Sequence, residues 1–133
     1  MSIRKYLGMG LGLILSAILA TSAIAGSMGP SRLTNAGPGW NSPIWPQQSD
    51  GFVYFQEQYC VSTATSLQFD LMHHWPFTPS TGTNAQWMSC VNNSTWRWIN
   101  WYAHGAGVDY SIEYTHNNTK NISLTYFITW PGN

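Results

Sequence analysis

Residues 108–130 read VDYSIEYTHNNTKNISLTYFITW. Val108, Tyr110, Ile112, Tyr114 and His116 alternate with Asp109, Ser111, Glu113 and Thr115. After the polar run Asn117–Asn121 the alternation resumes, with Ile122, Leu124, Tyr126, Ile128 and Trp130 set against Ser123, Thr125, Phe127 and Thr129. Successive side chains of a strand point to opposite faces, so a period of two with one apolar set marks a strand with one buried face. Two such runs around a short Asn-rich loop predict a β-hairpin. Its second face is polar apart from Phe127, and four residues of strand put Asp109 and Glu113 about 13 Å apart. Paired glycosidase carboxyls sit about 5–9.5 Å apart. The hairpin therefore reads as scaffold.

The same period runs through the residues before it. Trp96, Trp98, Asn100 and Tyr102 alternate with Arg97, Ile99 and Trp101, predicting a strand over Thr95–Ala103. Gly51–Thr65 is rich in aromatic and β-branched residues, which argues strand. Val53, Phe55, Tyr59 and Val61 share one parity there, broken by Glu57, and Phe52, Tyr54, Gln56, Gln58 and Cys60 share the other. Leu67, Phe69 and Leu71 mark a further strand ending near His73-His74, and Trp87–Val91 a short one holding Cys90. Trp75–Asn84, with Pro76, Pro79 and Gly82, reads as a loop. No part of residues 26–133 has a helical period. The expected fold class is all-β: a single antiparallel β-sandwich, or small barrel, over residues 51–133.

The N-terminus carries the pattern of a secretory signal peptide over residues 1–25. Arg4 and Lys5 precede the apolar stretch Leu7–Ala20, and Ala23-Ile24-Ala25 fits a small-residue cleavage site. The rival is an uncleaved membrane anchor, against which Gly8, Gly10, Gly12, Ser16, Thr21 and Ser22 dilute the stretch. The expected mature chain begins at Gly26, and its location is secreted. Residues 26–50 hold Pro30, Pro38, Pro43 and Pro46 and no period, so they are expected to form an irregular arm. Trp40 and Trp45 are expected to pin that arm to the domain. Cys60 and Cys90, an even pair in a secreted chain, read as a disulfide.

Charge narrows the partners. Beyond residue 25, Arg32, Arg97 and Lys120 oppose Asp50, Glu57, Asp70, Asp109 and Glu113, a net charge of −2. Three cations neutralise few phosphates, which excludes nucleic acid as an expected partner. No cofactor and no metal are expected: His73 and His74, adjacent on a strand, point to opposite faces, and no zinc-type spacing occurs. There is no G-x-S-x-G nucleophile elbow. Glu57 is the most notable acid, and a solvent-facing rim position is its expected place. Glu57 with Asp70 is the one acid pair that neighbouring strands would bring together, a small-hydrolase reading. The leading expectation is nonetheless not an enzyme. Asn92, Asn93, Asn117 and Asn121 head N-glycosylation sequons, three of them at predicted turns.

The surplus is aromatic. All eight Trp and six of seven Tyr lie beyond residue 25. Trp96, Trp98 and Trp101 occupy both faces of one strand, so they cannot share one core. Either a set meets solvent or a partner, or the Pro-rich arm covers the second face. Aromatic rings beside polar tips suit sugars, and equally a protein interface or the headgroup level of a membrane. The expected ligand-binding set is Trp96, Arg97, Trp98, Asn100, Trp101 and Tyr102. The expected function is a secreted non-catalytic binding domain for glycan or cell-surface material. A secreted toxin or bacteriocin-like effector acting on a cell envelope through the same aromatics is the alternative.

Overall fold

The computed structural model describes residues 26–132, so the signal peptide expected over residues 1–25 lies outside the described residues. The fold is all-β, without helices among the described residues. Its strands are β1 (Gly26–Ala36), β2 (Trp45–Gln47), β3 (Gly51–Val61), β4 (Ser66–His74), β5 (Thr81–Gly82), β6 (Gln86–Ser89), β7 (Arg97–Ala103), β8 (Val108–Tyr114) and β9 (Ile122–Trp130). They form two antiparallel sheets. One has the order β1-β9-β3-β7, and the other β2-β8-β4-β5 with β6 also paired to β4.

The apolar sets that the alternation singles out make the core between these sheets. Val53, Phe55, Ile99, Trp101, Leu124, Tyr126 and Ile128 face Leu67, Phe69, Leu71, Tyr110, Ile112 and Tyr114, and all are buried. Phe55 and Phe69 meet across the interface with ring centroids 4.6 Å apart. Each such side chain contributes about 1.5–3 kcal/mol by leaving water. The Cys60–Cys90 disulfide joins β3 to the residue after β6, and so links the two sheets.

Residues 108–130 do not form a hairpin. β8 pairs with β2 and β4, whereas β9 pairs with β1 and β3. The alternation located both strands, but each apolar face is met by the opposite sheet, and the connection crosses between sheets. Asn118 holds that crossing. Its Oδ1 accepts the Gln68 N–H at 2.9 Å, and its Nδ2 donates to Gln68 O at 2.8 Å and Thr115 O at 2.9 Å. Asn118 is buried. Asn118→Ala strands a buried N–H and two carbonyls, so a loss of about 1–3 kcal/mol is expected. Urea unfolding measures it, and an unchanged midpoint would contradict the role.

Residues 26–50 are not an irregular arm throughout. β1 and β2 are edge strands, and the segment between them runs along β8, with Gly39 N–H donating to Tyr114 O and Ser42 N–H to Ile112 O. Edge strands tolerate Pro and Gly because half of their backbone groups need no ladder partner. The period is lost through register shifts at Met28/Ser31 and Leu33/Ala36. The sandwich therefore includes strands from residues 26–50 and is not confined to residues 51–133. Trp45 is buried and stacks on Trp130 at 5.0 Å, and Trp40 meets Tyr126 edge-on at 5.3 Å.

A bulge corrects the parity of β3. Tyr59 has φ of 51°, and the β3–β9 register shifts between Gln58 and Val61. The extra residue reverses the facing of the strand's last positions. Cys60 turns inward to meet Cys90, and Tyr59 and Val61 turn out to solvent.

Candidate functional site

β7 is an edge strand, paired on one side with β3 in the register Phe52↔Tyr102, Tyr54↔Asn100 and Gln56↔Trp98. These residues are those whose parity points away from the core. Because β1 and β2 lie in the planes of their sheets, nothing among the described residues covers this outer face as an arm would. Phe52, Trp98 and Tyr102 are 50%, 58% and 56% exposed.

The rings form one contiguous ladder. His104 meets Tyr102 at 5.7 Å, Tyr102 meets Phe52 at 5.5 Å, Phe52 meets Tyr54 at 6.4 Å, and Tyr54 meets Trp98 at 5.5 Å. Successive planes are inclined by 85°, 83°, 50° and 67°, so the rings offer faces and edges in turn rather than one flat platform. Edge-to-face contact is the favoured arrangement of such pairs, and it stiffens the patch. Asn100 and Gln56 are the polar members of the same face. On the open edge of β7, Asn100 O accepts a hydrogen bond from Gln86 Nε2.

Of the six residues expected to bind ligand, Trp98, Asn100 and Tyr102 share this face. Trp96 is exposed just before β7. Arg97 and Trp101 face the interior. The Trp101 indole is buried, and its Nε1 donates to Asn84 O. The stacking role expected of Trp101 is therefore corrected: odd positions of β7 build the core. Phe52 and Tyr54 complete the ladder instead. Their parity, opposite to Val53 and Phe55, carried the signal, but only the pairing of β3 with β7 brings them beside Tyr102 and Trp98.

Arg97 is not a solvent-facing clamp. It lies opposite Glu57 in the register, and its Nε donates to Glu57 Oε1 at 2.8 Å. Its Nη2 donates to Val91 O at 2.6 Å and its Nη1 to Asn93 Oδ1 at 3.1 Å. Glu57 is 0% exposed, which corrects its expected rim position. Its Oε2 has no hydrogen-bond partner among the described residues. Burial pushes the Glu57 carboxyl above the usual carboxylate range, against the opposing pull of Arg97.

The hydrolase pairing of Glu57 with Asp70 has no geometric basis. Glu57 points between the sheets, and Asp70 lies on the outer face of the other sheet. Asp70 Oδ1 accepts N–H bonds from Thr83 at 3.2 Å and Asn84 at 2.9 Å, fastening that loop. Their strands belong to different sheets.

The second notable region is the end of the sandwich where β4 stops and β8 starts. A cleft of about 450 Å3 there is lined by His73, His74, Trp75, Pro76, Gly107, Val108 and Asp109. His73 faces Tyr110 on the core side at 5.3 Å, and His74 faces Ser111 on the other side, as alternation requires. Nearby, Asp50 Oδ1 accepts the Gly105 N–H at 2.7 Å, which lowers the Asp50 pKa, and its Oδ2 lies 3.5 Å from His104 Nδ1. No group of three or more His, Cys, Asp or Glu able to hold a metal occurs among the described residues. The sequon residues Asn92, Asn93, Asn117 and Asn121 are all exposed.

No protein-family model matches the chain, and no curated protein matches it in sequence.

Proposed function

We propose that this protein is a secreted, non-catalytic binding domain that engages glycan at cell surfaces through the outer face of β3 and β7. The carrying observation is the continuous outer-face ladder Tyr102–Phe52–Tyr54–Trp98, exposed except at the half-buried Tyr54, with Asn100 and Gln56 set into it. Apolar ring faces flanked by amide donors and acceptors match a sugar's mixed surface of C–H faces and hydroxyls. Because the planes are inclined, individual sugar residues would stack on single rings, Trp98 and Tyr102 foremost, with Asn100 between them. Secretion is supported by the signal-peptide pattern of residues 1–25 and by the Cys60–Cys90 bridge, which oxidising compartments preserve.

A glycan array followed by titration with soluble oligosaccharides tests the reading. Trp98→Ala with Tyr102→Ala is expected to weaken binding about tenfold or more, the scale of aromatic anchors at binding faces. Both side chains are exposed, so the fold should persist. Absence of binding to any glycan, or affinity indifferent to the double substitution, would overturn it.

One observation favours the second reading, an effector acting on a cell envelope. Phe77 is fully exposed on the loop after β4, beside the half-exposed Trp75. Aromatic tips at one end of a domain suit the headgroup level of a bilayer. Dye release from liposomes and growth inhibition of neighbouring bacteria test it, and inertness at micromolar protein would remove it.

A further inference from the structure

We propose that the cleft between the end of β4 and the start of β8 binds an alkylammonium group, with the Trp75 indole and the Asp109 carboxylate as its recognition elements. This site is distinct from the ladder on β3 and β7, and the inference does not depend on glycan binding there.

The cleft is a built feature. His74 and Asp109 lie directly opposite each other in the β4–β8 register. Both His74 ring nitrogens are engaged within the protein. Nε2 lies 2.7 Å from Ser111 Oγ, and Nδ1 lies 2.6 Å from Ser80 Oγ. Ser111 in turn donates to Asn41 Oδ1 at 3.0 Å. His74 is thus a fixed wall rather than a group free to reach a ligand. Trp75 is held as firmly: its indole stacks on His73 with centroids 3.7 Å apart, and its Nε1 donates to Thr81 Oγ1 at 2.9 Å. It nevertheless remains 49% exposed. A rigid aromatic wall beside a carboxylate loses little freedom on binding.

Charge selects the ligand. Among the described residues, Asp109 is the only carboxylate of the lining. Burial, and to a lesser extent His74, hold His73 below the usual imidazole range, which reduces any positive charge it adds at neutral pH. None of Arg32, Arg97 and Lys120 lines the cleft. Arg97 sits at the far end of β7, bound to Glu57, and Lys120 lies in the β8–β9 connection at that same far end. The cleft therefore disfavours anions. An indole face with a nearby carboxylate is the arrangement that attracts a cation carrying methyl or methylene groups.

The test uses tetramethylammonium and, as its neutral counterpart of similar shape, 3,3-dimethylbutan-1-ol. Each is titrated into the mature protein and read by the backbone N–H signals of Gly107, Val108 and residue 109 in NMR, which line the cleft and are present in every variant. Saturable binding of the cation alone is expected, weakened about tenfold or more by Trp75→Leu and by Asp109→Asn, and untouched by Trp98→Ala. Asp109→Asn keeps the side chain's size, and an unchanged Tm of that variant excludes a fold defect as the source of its effect. Equal binding of the alcohol, no binding of the cation, or indifference to both cleft substitutions would overturn the proposal. Phosphatidylcholine vesicles that compete with tetramethylammonium would assign the source to a lipid headgroup. Vesicles that do not compete would assign it to a soluble or protein-borne ammonium. Loss of glycan binding in Trp98→Ala with ammonium binding intact separates the two sites.

Discussion

Arg97→Ala is expected to destabilise the protein by about 3–5 kcal/mol, the scale of a buried ion pair that loses one partner. The cost comes from what remains. Glu57 would keep its buried place with no cation, and Val91 O and Asn93 Oδ1 would each lose one donor while keeping those from Cys60 N–H and Thr95 N–H. The deficit should depend on pH. Folding already raises the Glu57 pKa through burial. A carboxyl raised in the folded state contributes stability below its unfolded pKa, and that contribution is lost as pH rises through the folded value. Removing Arg97 lifts the folded value further. The variant should therefore be nearest to wild type in acid, where Glu57 takes up a proton, and furthest from it at neutral pH. Urea denaturation at pH 4 and pH 7 reads both deficits. Equal deficits at the two pH values would show that Glu57 is not the source. The double variant Glu57→Leu with Arg97→Met should recover much of the loss, because two apolar groups leave no charge to desolvate.

Replacing both cysteines by serine should cost roughly 3–4 kcal/mol on the loop-closure argument. The bridge closes a separation of 30 residues. That is a drop in Tm of about 15–25 °C for a domain of this size. The bridge has local help: Cys60 N–H donates to Val91 O at 3.1 Å, Cys90 N–H to Thr65 O at 3.0 Å, and Tyr59 N–H to Asn93 O at 2.9 Å. With Arg97 bound to Val91 and Asn93, the same short segment is fastened to β3 covalently and by charge. The two perturbations should therefore be non-additive, since they share partners. Calorimetry of the serine variant measures the drop. Melting within a few degrees of the oxidised protein would mean that the hydrogen bonds alone fix the segment.

Where the strands with a regular period lie (β3, β4, β7, β8 and β9), which face of each is apolar and which cysteines pair are visible in the chain, because they rest on local period and on a count of two. The candidate aromatic face is legible in part. Trp98, Asn100 and Tyr102 share a face by alternation alone. Phe52 and Tyr54 join them only through the β3–β7 register, set by backbone bonds between residues some fifty positions apart.

The same limit governs strand pairing. β8 and β9 each read correctly as half-buried strands, but adjacency in sequence does not choose a sheet. The partner that buries the most apolar surface does, and for each it came from elsewhere in the chain. β1 is hidden by Pro and Gly because an edge strand is held by a neighbour's backbone and not by its own side-chain pattern. Glu57 keeps the inward parity of Val53 and Phe55, but a carboxylate can occupy that position only because Arg97 lies opposite. The alternation of residues settles which side chains turn inward, for that is stereochemistry within one strand. Which strand each one meets, and so whether a charge is buried or an aromatic ladder assembled, depends on contacts between distant residues, and only the folded chain brings those together.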